Sequence, residues 1–180
     1  MTVTVNTDAS FLPDTKEAGY AFYIKCDLFT TRYSGKFHTI PENIYQAEQM
    51  ALANALASLS KHTGVDKMKY LVINTNSQHT IDHLESPVTD LDFCIKSLLS
   101  ALIAKYNFKY KLKHIAALTN SQVPKLGGWV KDWCNQQAHT EAKSILGIGA
   151  IVTRFGTGPW EKAVKKGWLN KNKRKYLCIK

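Results

Sequence analysis

The sequence predicts a mixed α/β domain built on a five-stranded sheet. Three observations carry this reading: three strand patterns follow one another at the start of the chain, a short continuous apolar run, KYLVIN, comes after the first helical pattern, and further helical stripes separate that run from a last strand. A sheet that opens as a meander and continues through crossovers, with helices packed on it, is the arrangement this order specifies.

The elements follow in turn. Val3 and Val5 alternate with polar residues before Asp8, and the segments Gly19–Cys26 and Thr30–His38 are rich in Tyr, Phe and Thr, residues that favour strands. Pro41 precedes a helical run from Asn43 to Leu59, in which Ala47, Met50, Ala51, Ala53, Leu56 and Ala57 are good helix formers and Lys61 near the end suits the helix dipole. Lys69–Asn74 is apolar without alternation, as in a central strand covered on both faces. Ser77 opens a short helix toward Leu84, and Pro87 closes it. Leu91, Ile95, Leu98, Leu99, Leu102 and Ile103 recur at spacings of three and four, which predicts a helix to Tyr106 with Thr89 or Asp90 as its N-cap. Phe108–Leu118 reads as the fifth strand, the turn-forming segment Pro124–Gly128 follows, and Trp129–Ile145 reads as a final helix.

A length of 180 residues with 44% apolar content is enough for one core without metal or disulfide staples. The N-terminal segment carries no signal-peptide pattern and no stretch is long and apolar enough to span a bilayer, so a soluble, cytoplasmic, monomeric protein is expected. The four cysteines, Cys26, Cys94, Cys134 and Cys178, form no CxxC pair and are expected as reduced, buried thiols. Four glycines between Gly147 and Gly158 mark a linker, since no P-loop lysine or dinucleotide-binding spacing accompanies them, so the domain is placed at residues 1–146 and a linker with a basic tail at 147–180. Of the net charge of +10, residues 154–180 carry +8, from nine Lys or Arg against Glu161 alone. Lys162, Lys165, Lys166, Lys171, Lys173, Arg174 and Lys175, set among Trp160, Trp168 and Tyr176, are the candidate phosphate-neutralising residues of a nucleic-acid contact; the competing reading is a solvated tail.

Four short motifs carry chemistry. Asp8 stands in VNTDAS at the end of the first predicted strand, Glu48 in YQAEQMALANAL on the first helix, Asn76 in VINTNSQ after the fourth strand, and Asn135 in DWCNQQAHTEA on the last helix. Over roughly residues 1–145 this order resembles type 1 ribonuclease H, which carries acids at these places in patterns such as TDGS, MELxAAxxAL, TDSQ and CDxxA. The resemblance implies helices on both faces of the sheet. It also implies two Mg²⁺ ions about 4 Å apart, with Mn²⁺ as a substitute, that clamp a phosphodiester of an RNA–DNA hybrid. Asp8 would then bridge both ions, Glu48 and Asn76 would complete the leaving-group side, and Asn135 would help hold the nucleophile-side ion. The implied reaction is endonucleolytic hydrolysis of the RNA strand to a 3′-hydroxyl and a 5′-phosphate.

Asparagine at 76 and 135 keeps the size of aspartate but not its charge, so four anionic ligands become two and metal affinity and turnover should fall. An engineered knock-out and a natural loss both fit. Asp132 or His139, one helical turn from Asn135, are the neighbours able to restore charge. The family often places a histidine before the last helix; Thr119–Lys131 has none, and His114 is expected to be buried on the fifth strand. His79 and His83, four apart, are expected as a surface pair. The alternatives to a weakened hybrid nuclease are a noncatalytic nucleic-acid-binding module of the same fold and another nuclease of the superfamily, because fold does not fix substrate.

Overall fold

The computed structural model describes residues 1–115. The predicted final helix, with Asn135, Asp132, His139 and Cys134, lies outside the described residues, as do the glycine linker, Cys178 and the basic tail.

Thr2–Leu12 forms β1, Glu17–Lys25 forms β2 and Thr30–Lys36 forms β3, joined as an antiparallel meander. Helix α1 spans Ile44–Leu59, a short 3-10 turn follows at Val65–Lys67, and β4 covers Tyr70–Thr75. Helices α2 (Gln78–Glu85) and α3 (Asp90–Tyr106) precede β5 (Lys109–His114). The strand order is β3-β2-β1-β4-β5, with β4 parallel to both β1 and β5, so each crossover carries helix as parallel pairing requires. The five strands and the first three helices come in the order the sequence predicts, with β5 ending at His114 and residues 116–118 of the predicted fifth strand outside the described residues.

Register explains the core. Val5 pairs with Ile24 on one side and Ile73 on the other, and Val3 with Leu71, which sets these apolar side chains on one face of the sheet. Against it lie Ala47, Ala51, Leu52, Ala55, Leu56 and Leu59 of α1 and Ile95, Leu99 and Leu102 of α3. The alanines let α1 sit close to the sheet, while Leu52, Leu56 and Leu59 each contribute about 1.5–3 kcal/mol by leaving water.

Helix starts follow the sequence signals. Asn43 accepts the Gln46 N–H at 2.9 Å, Ser77 accepts that of Thr80 at 3.2 Å, and Thr89 forms a full capping box with Asp92. Asn107 ends α3 at φ 51°, a left-handed conformation that asparagine tolerates better than most residues. Among the described residues no helix is long and apolar enough to cross a membrane.

Three expectations change. β1 does not end at Asp8: it runs on to Leu12, paired with β2 from Asp8↔Ala21 to Leu12↔Glu17, because the polar TDAS segment keeps its ladder partner. Cys94 is exposed on α3 rather than buried, being off the stripe that carries Ile95 and Leu99. His114 is exposed, because it ends β5 at the margin of the sheet, while the buried residue there is Ile115.

Candidate active site

The parallel pair β1·β4 ends with Asn6 opposite Asn74. Asp8 lies two residues beyond that last pair on β1, and Asn76 lies two residues beyond it on the other chain segment, just past the end of β4 and before the Ser77 cap of α2. A strand end followed by a helix start is where a parallel sheet opens a crevice for ligands. Asp8, held inside β1 by β2, is 1% exposed, and Glu48, in the second turn of α1, is 6% exposed. Asn76 is half-buried, and its backbone carbonyl lies 3.2 Å from Nε2 of His114.

Asp8 and Glu48 face one another electrostatically. Burial first, then the charge of Asp8 and the hydrogen bond the two carboxyls can share, push the Glu48 carboxyl well above the usual carboxylate range, while the Ala9 N–H pulls weakly the other way. Glu48 Oε2 is buried and has no hydrogen-bond partner among the described residues. Two acids brought together out of water, one with an unanswered oxygen, form a place short of positive charge. A hard dication fits that donor set, because oxygen ligands of this kind are what Mg²⁺ prefers. The described residues hold no group of three or more His, Cys, Asp or Glu able to bind a metal, so this part of the chain supplies two carboxylates with Asn76 beside them.

The structure buries Asp8 and Glu48 beside one another and sets Asn76 just past the end of β4, while Asn135 lies outside the described residues. Sequence reasoning passed over the polar layer behind them. Asn74 donates from Nδ2 to Asn6 Oδ1 at 2.9 Å, both fully buried, and Asn6 Nδ2 reaches the Tyr23 carbonyl at 3.5 Å. The signal was present as an asparagine at each of two central-strand positions that otherwise suit an apolar side chain. Beside Glu48, Gln49 donates to the buried carboxylate of Asp92 at 2.5 Å, tying α1 to the start of α3.

Comparison with solved structures agrees with the fold. The chain is similar to an RNase H1 from the halophilic archaeon Halobacterium salinarum, at 16% identity with a TM-score of 0.52, over 68% of this chain and 91% of that one. It is also similar to an N-terminal RNase H domain from Mycobacterium tuberculosis solved as a fusion with maltose-binding protein, at 12% identity with a TM-score of 0.51, over 81% of this chain and 96% of that one. The fold is therefore RNase H-like. No family model matches the sequence, and no curated protein matches it.

Proposed function

We propose that this chain is a ribonuclease H-type protein that recognises RNA–DNA hybrid, and that its parent chemistry is metal-dependent hydrolysis of the RNA strand. The observation that carries the reading is the buried Asp8–Glu48 pair, with Asp8 two residues past the last β1·β4 pair and Asn76 two residues past it on the other side. Asp8, Glu48, Asn76 and Asn135 are the residues assigned to hold Mg²⁺ or Mn²⁺. A bound dication would supply Lewis acidity toward the phosphodiester and lower the pKa of a water nucleophile. The chain's own part is positional. The β1 ladder fixes the Asp8 backbone, α1 carries Glu48 to it, and the burial of both limits the screening of a charge placed there by water.

Asparagine at 76 and 135 weakens this machinery, because a neutral amide oxygen replaces a carboxylate at two of four positions. The second reading, a noncatalytic hybrid-binding module, is favoured by that same loss and by the absence of a three-ligand group among the described residues. Phosphate contacts from the lysines and arginine assigned in the tail, Lys162 to Lys175, do not require a complete metal cluster. The same proposal takes the chain as a cytoplasmic monomer with the nucleic acid as its partner.

The test is cleavage of labelled hybrid, duplex DNA and duplex RNA by this chain and by the form with Asn76→Asp and Asn135→Asp, in Mg²⁺ and in Mn²⁺. Cleavage of hybrid by the restored form supports the enzyme reading. Hybrid binding with no cleavage by either form supports the binding module.

A further inference from the structure

Helix α2 places His79 and His83 one turn apart, and their ring centroids lie 3.8 Å from each other. Residues four apart share a helix face, and two histidines at this spacing can offer nitrogens to one ion. His83 is not free to turn. Its Nδ1 lies 2.9 Å from Oδ2 of Asp92, a carboxylate that is 1% exposed and that also accepts the N–H groups of Val88 at 3.0 Å and Thr89 at 2.8 Å. An ionised carboxylate only accepts, so Nδ1 of His83 carries the hydrogen, and the nitrogen left to offer a lone pair to a metal is Nε2. A carboxylate behind an imidazole, fixing its tautomer and raising its basicity, is the arrangement that accompanies metal-bound histidine.

We propose that His79 and His83 bind one borderline transition-metal ion, Zn²⁺ in the first instance, with Asp92 as the residue that orients His83. The site is separate in chemistry from the Asp8–Glu48 crevice: imidazole nitrogens suit zinc, whereas a pair of carboxylates suits magnesium. The Tyr45 ring packs on His79, with centroids 4.7 Å apart, and limits its rotamers. No third His, Cys, Asp or Glu among the described residues completes the group, which leaves the remaining coordination positions to water. Binding should accordingly be weaker than at a closed four-ligand structural site.

The experiment is a titration of the full chain with Zn²⁺, in excess Mg²⁺ to compete at the carboxylates, followed through the side-chain NMR signals of all six histidines. The expected result is that the His79 and His83 signals move together at the lowest Zn²⁺ concentrations. His79→Ala should weaken that binding by about tenfold or more, the scale on which metal sites respond to loss of a supporting group, with an unchanged thermal melt. His83→Ala would strip a partner from buried Asp92 and disturb the fold, so His79→Gln serves as the second variant and should behave as His79→Ala does. Zn²⁺ taken up first by His38, His62, His114 or His139, or an affinity unmoved by His79→Ala, would overturn the proposal.

Discussion

Asn74 donates its side-chain N–H to the side-chain Oδ1 of Asn6 at 2.9 Å in the middle of the sheet, where neither residue touches water. The pair lies two residues before Asp8 on β1 and two before Asn76 on the chain leaving β4, so it sets the spacing of the strands on which the candidate site stands. Asn74 Oδ1 already has no hydrogen-bond partner among the described residues. Asn6→Ala should therefore cost about 1–3 kcal/mol, the penalty of leaving a further buried polar group unanswered. Replacing both by leucine, close in shape, should cost much less than that single change. Urea denaturation of the single and double variants decides it; equal losses would mean that packing, and not the hydrogen bond, is what these positions supply.

Glu48 makes stability depend on pH. The folded protein holds its proton more tightly than the unfolded chain, whose value lies near 4.5, because of burial and the adjacent Asp8. The native state then binds more protons, and stability present below pH 4.5 declines as pH rises through the raised folded value. Glu48→Gln should flatten that decline and raise the neutral-pH denaturation midpoint. Parallel curves for the two proteins from pH 4 to 8 would show that Glu48 does not carry the strain assigned to it.

Asp92 has the opposite sign. Burial works to raise its carboxyl, but the Thr89 and Val88 N–H groups, His83 and the Thr89 hydroxyl outweigh it and hold the pKa at about 2, below the ordinary 3.8. Its contribution is complete above pH 3.8 and is lost as pH falls through about 2. Asp92→Ala removes the capping box and strands the Gln49 donor, for a cost of about 2–3 kcal/mol at neutral pH. The variant should also lose the part of acid destabilisation that belongs to this residue, which circular dichroism between pH 1.5 and 5 will register.

The periodic parts of this molecule were legible before the structure. Leu91, Ile95, Leu98, Leu99 and Leu102 announce α3 by spacing alone, and Asn43, Ser77 and Thr89 announce helix starts because a side-chain oxygen there satisfies an otherwise unpaired N–H. Asp8, Glu48 and Asn76 were legible as motifs, but the approach of Glu48 to buried Asp8 depends on the packing of α1 on β1, which no local window contains. The bonds Asn6–Asn74 and Gln49–Asp92 join residues 68 and 43 apart in sequence, and only the closed fold shows that these side chains meet. His114 was misplaced for a related reason: a strand pattern says which residues alternate, not where the strand reaches the margin of the sheet.

Restoring charge at the proposed metal positions should act on chemistry more than on folding. With Asn76→Asp and Asn135→Asp, hybrid cleavage should rise by several orders of magnitude, since ligand charge governs both ion occupancy and stabilisation of the developing negative charge. Asp8→Asn in that background should abolish it. Single-turnover assays separate the outcomes, and full activity without the Asp8 carboxylate would mean the site has been assigned to the wrong residues.

The basic tail, residues 154–180, makes the remaining prediction, from charge alone. If its nine lysines and arginines lie along a nucleic-acid backbone, each phosphate neutralised should add about 0.7 to 0.9 to the slope of log affinity against log salt. Removing the segment should then lower hybrid affinity and flatten the slope. Phosphate contacts carry no sequence information, so the loss should be alike for all hybrid sequences, while preference for hybrid over duplex DNA should stay with the core. Trp160 and Trp168 introduce a competing effect, because aromatic side chains that pack on a core would make truncation reduce stability before binding. A thermal melt of the truncated chain distinguishes these. An unchanged melt with an unchanged salt slope would remove the tail from nucleic-acid binding and leave its charge to solubility or another partner.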